Sequence, residues 1–151
     1  MRLRRPKFHA EQSGQSLVET AITFVTVITI VFWVFEVCSL MYTYVVIADA
    51  ANEGLRYAVV RSTITANDST VVAHVKDFAK LSMHNVDSIT VTVTPYASDG
   101  TTALTGTSKG KAPNRIQVQV SYTYVPFLGT LIGTAPTMHA YAEGRMIAGG
   151  S

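Results

Sequence analysis

At 151 residues the chain has room for one domain of ordinary size, but only 15% of its residues are charged, against about 25% in a typical soluble chain. The shortfall is local: residues 17–48 hold just two formal charges, Glu19 and Glu36, while Arg2, Arg4, Arg5 and Lys7 crowd the first seven positions. With Glu11 these give residues 1–14 a net +3 out of a total of +2, so the remainder is slightly acidic, which excludes both an ordinary cytosolic globule and a basic face for nucleic acid.

In chain order, the basic leader comes first and the apolar run follows. A membrane-spanning helix needs roughly 20 apolar residues to cross about 30 Å of hydrocarbon. Residues 20–35 carry no charge, residues 37–48 carry none after Glu36, and no Gly, Pro or Asn separates the two stretches. One spanning helix fits, and two do not. The positive-inside rule keeps the leader in the cytoplasm and puts the rest of the chain outside. A cleaved secretory signal has a shorter apolar stretch that ends in small residues. The single cysteine, Cys38, lies within the run, so no intrachain disulfide forms and no metal-ligand spacing exists around it.

Within this helix the polar residues stand out. A carboxylate costs about 2.5–3.5 kcal/mol at the centre of a membrane helix, so Glu19 needs a partner or the interface. Glu36 follows 17 residues later, about 260° further round at 100° per residue, and does not share its face. Two readings of Glu36 stay open: a carboxylate near the outer interface or protonated in lipid, and a polar contact to a partner helix. Thr20, Thr23, Thr26 and Thr29 recur every third residue. Their hydroxyls can bond the carbonyl one turn back, or line a helix-packing stripe.

Helical periodicity continues to Arg61, with Ile47, Ala51, Leu55, Ala58 and Val59 on one side and Asp49, Asn52, Glu53 and Arg56 largely on the other. At 1.5 Å per residue, a helix from Ser16 to Arg61 is about 70 Å long, more than a bilayer requires. Gly54 costs about 1 kcal/mol in mid-helix, a loss that close approach of another backbone compensates. Glu53 and Arg56 are spaced for an i,i+3 pair.

Beyond it, residues 62–68 form a polar break, and Ser69 or Thr70 can cap a second helix to about His84, with Val71, Val72, Val75, Phe78, Ala79 and Leu81 as its apolar face. Residues 88–94, 115–124 and 137–147 alternate as strands. Residues 98–114 are a long polar connection. Residues 125–136 are an apolar one, whose Phe127, Leu128, Leu131 and Ile132 lie buried beneath the sheet or meet a subunit or the membrane surface. The fold class is α+β: a long N-terminal membrane-spanning helix and a small head with one further helix and a three-stranded antiparallel sheet. Domain bounds are 1–14, 15–61 and 62–151.

Enzyme chemistry finds no anchor. Gly106-Thr107-Ser108-Lys109-Gly110 matches G-x-S-x-G but lacks the strand before and helix after that a nucleophile elbow requires. His74 and His84 fall on different helix faces, His9 belongs to the leader, and no HExxH, CxxC, P-loop or GxGxxG occurs. No catalytic residue, metal or cofactor is expected.

Gly14-Gln15-Ser16-Leu17-Val18-Glu19, at the junction of leader and apolar run, resembles the processing site of type IV prepilin-like proteins. Ala50-Ala51-Asn52-Glu53-Gly54-Leu55-Arg56-Tyr57-Ala58 sharpens this: the chain resembles the TadE-like family of tight-adherence (Flp) pilus pseudopilins from Gly14 to Arg61. The resemblance implies a structural subunit, not an enzyme, cut by prepilin peptidase between Gly14 and Gln15. Glu19 becomes the fifth residue of the mature chain and pairs with a new α-amine during assembly. Glu36, the four threonines, and Glu53, Gly54, Arg56 and Tyr57 are then assembly and helix-packing positions. The implied partners are the peptidase, other pilin or pseudopilin subunits, the assembly platform and membrane lipid. The implied location is the bacterial inner membrane in a single pass, or a pilus after assembly. Gln15 departs from the aromatic first residue of many type IV pilins. An uncleaved single-pass membrane protein with an extracytoplasmic binding domain is the alternative.

Overall fold

The computed structural model describes residues 10–83, 86–106, 109–110, 114–127, 129 and 136–147, with backbone only at 10–13 and 109–110. The basic leader to His9, and His84, Ser108, Leu128, Leu131 and Ile132, lie outside the described residues. In chain order the elements are α1 (Ala10–Val59), β1 (Ile64–Thr65), α2 (Ser69–Lys80), β2 (Ile89–Pro95), β3 (Lys109–Gly110), β4 (Arg115–Thr123) and β5 (Thr137–Arg145). They form two compact units, residues 1–38 and 39–151.

The N-terminal unit is helical wherever it is described. Among the described residues its large apolar side chains are exposed, Leu17, Phe24, Val31 and Trp33 with them. The helix is long and apolar enough to cross a membrane, and each backbone amide in such a segment must find its partner within the helix.

The C-terminal unit is α+β, as expected, with the order β2-β4-β5 in its main sheet and both pairings antiparallel. Alternation decides the faces: Ile89, Val91 and Val93 of β2, Ile116, Val118 and Val120 of β4, and Met138, Ala140 and Ala142 of β5 are buried. The intervening Thr, Gln, Ser, His and Tyr positions form the wetter face. The unit begins inside α1 because Ile47, Ala50, Ala51 and Ala58 belong to the same apolar cluster as the sheet. α2 adds Val71, Val75 and Ala79, all fully buried, each such valine contributing about 1.5–3 kcal/mol. The Ile147 amide donates to the Val59 carbonyl at 3.2 Å, satisfying one of the acceptors a helix C-terminus leaves open.

Several details differ from the sequence reading. Asp68, not Ser69 or Thr70, caps α2, its carboxylate accepting from the Thr70 amide. α2 stops at Lys80, and Leu81 is exposed. The polar connections supply a second, two-stranded sheet in which Ile64 and Thr65 pair with Gly110 and Lys109. Two-residue strands are too short for alternation to reveal. Phe127 is 84% exposed, which rules out its burial beneath the sheet.

At Gly54, a Cβ would collide with Val75 Cγ2 and lie 3.2 Å from Val118 Cγ1. The partners in this close approach are side chains of α2 and β4, where a backbone was expected. Gly54→Ala should therefore destabilise the C-terminal unit by about 1–3 kcal/mol through overpacking, despite a helix-propensity gain of about 1 kcal/mol. Val75→Ala added to it should recover part of the loss in denaturant unfolding of the detergent-solubilised chain. An unchanged midpoint for Gly54→Ala contradicts the contact.

In the turn after β2, the Asp99 carboxylate accepts from the Thr101 amide at 3.1 Å, the Thr102 amide at 3.0 Å and the Thr102 hydroxyl. These bonds, led by the Thr102 hydroxyl, hold its pKa down to about 2. A depressed carboxylate pKa adds stability that is complete above the ordinary value and is lost as pH falls through the folded one. The turn should thus stay formed at pH 4 and loosen on approach to pH 2, a transition that NMR shifts of Thr101 and Thr102 report and that Asp99→Asn removes. Loosening complete by pH 4 would contradict it.

Candidate functional site

α1 carries every position that the sequence singles out for processing or assembly. Gly14 lies inside the helix with open space where its side chain would be, and Gln15 and Glu19 are exposed in the following turns. The hydroxyls of Thr20, Thr23, Thr26 and Thr29 donate to the carbonyls of Ser16, Glu19, Ile22 and Val25 at 2.8–2.9 Å. Each hydroxyl is therefore satisfied one turn back, and the surface left to a neighbour consists of methyl groups and small gaps. Such a surface can exchange lipid for protein without stranding a donor.

Glu36 is different. It is only 6% exposed, while Phe35 and Val37 on either side are exposed. At intervals of three or four residues it is followed by Leu40, Thr43, Ile47, Ala50, Gly54 and Ala58, all buried or partly buried. Thr43, like the earlier threonines, bonds one turn back, to the Ser39 carbonyl at 2.8 Å.

The Glu53-Gly54-x-Arg56-Tyr57 stretch meets α2 within the C-terminal unit. Gly54 admits Val75, and Tyr57 stacks on His74 with ring centroids 4.3 Å apart and planes inclined by 16°. The Glu53 carboxylate stands 3.5 Å from His74 Nε2 and 3.6 Å from the Arg56 guanidinium. Arg61 lies over the Tyr57 ring at 5.4 Å and donates to the Thr70 hydroxyl. Burial opposes ionisation of Asp68, but hydrogen bonds from the Thr70 hydroxyl and amide, the charge of Arg61 and the Val71 amide outweigh it and hold its pKa below the ordinary value. Exposed ion pairs of this kind are worth little singly. Their combined effect is to fix α2 across α1 at one rotation. Sequence reasoning missed His74, Arg61 and Asp68 in this seam. The Asn-Asp-Ser-Thr run before an apolar helix was the available signal for Asp68, but nothing local announces a Tyr–His stack across 17 residues.

Among the described residues, no three His, Cys, Asp or Glu side chains converge as a metal would need. Cys38 is a free, exposed thiol.

Residues 14–56 match the family model described as TadE-like protein. The match opens at Gly14, takes in Glu19, the threonines and Glu36, and closes at Arg56 in the seam with α2. No curated protein and no solved structure matches the chain.

Proposed function

We propose that the chain is a minor pilin-like subunit of a tight-adherence pilus or its assembly complex, matured by prepilin peptidase after Gly14. The observation that carries this reading is an apolar helix whose large side chains are exposed, in the segment where the TadE-like match opens at Gly14. The mechanism is assembly, not catalysis. Before assembly, lipid covers residues 17–35, the basic leader faces the cytoplasm, and the C-terminal unit stands outside the inner membrane. Cutting the peptide bond after Gly14 places an α-amine on Gln15, four residues from the Glu19 carboxylate. Pairing of amine and carboxylate between neighbouring chains removes two isolated charges from an apolar setting, where each is costly. Methyl-faced threonines and neighbouring apolar side chains then replace acyl chains without breaking a hydrogen bond. The partners in this reading are the peptidase, sister pilin subunits, the assembly platform and membrane lipid.

Mass spectrometry of the membrane-extracted protein should give a chain that starts at Gln15, and the Gly14→Leu variant should retain its first 14 residues. Glu19→Ala should be processed normally yet fall at least about tenfold in the pilus fraction, the loss expected from about 1.4 kcal/mol of missing subunit contact. An intact Met1 in cells with an active peptidase contradicts the reading and favours the uncleaved membrane protein.

A further inference from the structure

Strand direction sorts the C-terminal unit into two ends. At the first, β2 begins, β4 finishes and β5 begins, with Ile89 opposite Tyr122 and Tyr122 opposite Met138. Both helices reach that end: Tyr42, in the opening turn of the unit, lines one cavity with Leu81 and Met83 after α2 and with Val86 and Asp87 before β2. At the second end the Ile147 amide bonds the Val59 carbonyl, and Arg61 bonds Thr70. Within the unit α1 therefore runs from the first end to the second, and α2 runs back.

Side-chain chemistry follows the same division. The second end is charged, with Arg61 after α1, Asp68 before α2, Asp99 after β2, Arg115 opening β4 and Arg145 closing β5. At the first end the exposed side chains include large apolar ones: Met41, Tyr42 and Tyr44 on α1, Leu81 after α2, Val125 and Phe127 after β4. Leu81 is 82% exposed. The charged groups there, among the described residues, are Asp87 and the Lys80–Asp77 pair, closed at 3.0 Å. Away from this end, Tyr141 is exposed midway along β5, and Val60 and Ile147 at the second end. Apolar side chains that gather at one place on a surface mark a contact.

We propose that the first end is a lipid-contacting surface: it sits in the headgroup layer of the outer leaflet, with Leu81, Val125 and Phe127 against the upper acyl chains and Tyr42 and Tyr44 among the headgroups. The inference rests on the membrane reading above and adds to it, since that reading needs lipid around residues 17–35 alone. Chain length selects the occupant. A span of roughly 20 residues that starts at Leu17 ends at Glu36, and Tyr42 follows six residues later, so the end through which the chain enters the unit is tethered at the bilayer surface. Only the joining length of chain is used, and this holds at any angle between the two units. The residues also suit that layer. Tyrosine collects where membrane meets water because its ring is apolar and its hydroxyl polar, and the Lys80–Asp77 pair brings no net charge to it.

Brominated lipid quenches tryptophan on contact, and Trp33 is the chain's single tryptophan. The full chain, with no other protein present, is reconstituted in phosphatidylcholine vesicles whose acyl chains are brominated near the headgroup. Trp33 of the unaltered chain reports the spanning helix and should be quenched. With Trp33→Phe in place, Leu81→Trp and Phe127→Trp should lose emission as well, and because both positions are exposed the larger ring needs no repacking. Ser98→Trp, in the exposed turn after β2, should emit as it does in vesicles without bromine. Quenching of Trp33 with none at positions 81 and 127 overturns the inference and leaves the membrane reading standing, whereas an unquenched Trp33 overturns both. Equal quenching at position 98 shows unspecific adsorption of the unit and overturns the inference too. Emission at position 81 that escapes bromine, and changes as the protein-to-lipid ratio falls, assigns the surface to a second copy and overturns it likewise.

Discussion

The absence of a side chain at Gly54 sets how the C-terminal unit is built. It lets Val75 and Val118 close on the axis of α1, so the turns from Ile47 to Ala58 become core. Alanines at 50, 51 and 58 continue the low profile, and all three are fully buried. Around this contact the polar groups are set at the seam's margin: Tyr57 stacks on His74, Arg61 reaches Thr70, and Asp68 caps α2. A residue that weakens an isolated helix is here what allows two helices and a sheet to share one apolar cluster.

The same helix has an opposite character earlier in its course. Where Ile47, Ala50, Ala51 and Ala58 are covered, the large apolar side chains of residues 17–35 are exposed. Water does not tolerate so much contiguous apolar surface on a soluble protein. The hydroxyls of Thr20, Thr23, Thr26 and Thr29 are each bonded one turn back, so these four side chains strand no donor when lipid or neighbouring apolar helices cover them. The stretch matched by the TadE-like family runs from the start of the exposed part to the seam, so it spans both roles of α1.

Much of this was legible from residue patterns. Ile89-Thr-Val-Thr-Val and Ile116-Gln-Val-Gln-Val alternate because one sheet face is buried and the other is wet, and the burial follows that alternation residue by residue. The apolar run was legible from its missing charges. What escaped notice depends on contacts distant in sequence. β1 and β3 are two residues each and exist through their pairing across more than 40 positions. The burial of Glu36 is invisible locally, since its neighbours in sequence are exposed. The bond from the Val93 amide to the Asn67 side chain needs a strand 26 residues away. Gly54 was recognisable as a place of close approach, but its partner was not.

The central claim is that the exposed half of α1 lies in a non-aqueous setting while its last turns serve as core. Spin labels on Val25→Cys and Val31→Cys, in chains where Cys38→Ser removes the native thiol, measure this directly in native membranes. Dissolved oxygen should relax both labels, and both should be shielded from a water-soluble nickel chelate. Free access of the chelate to both positions would contradict it.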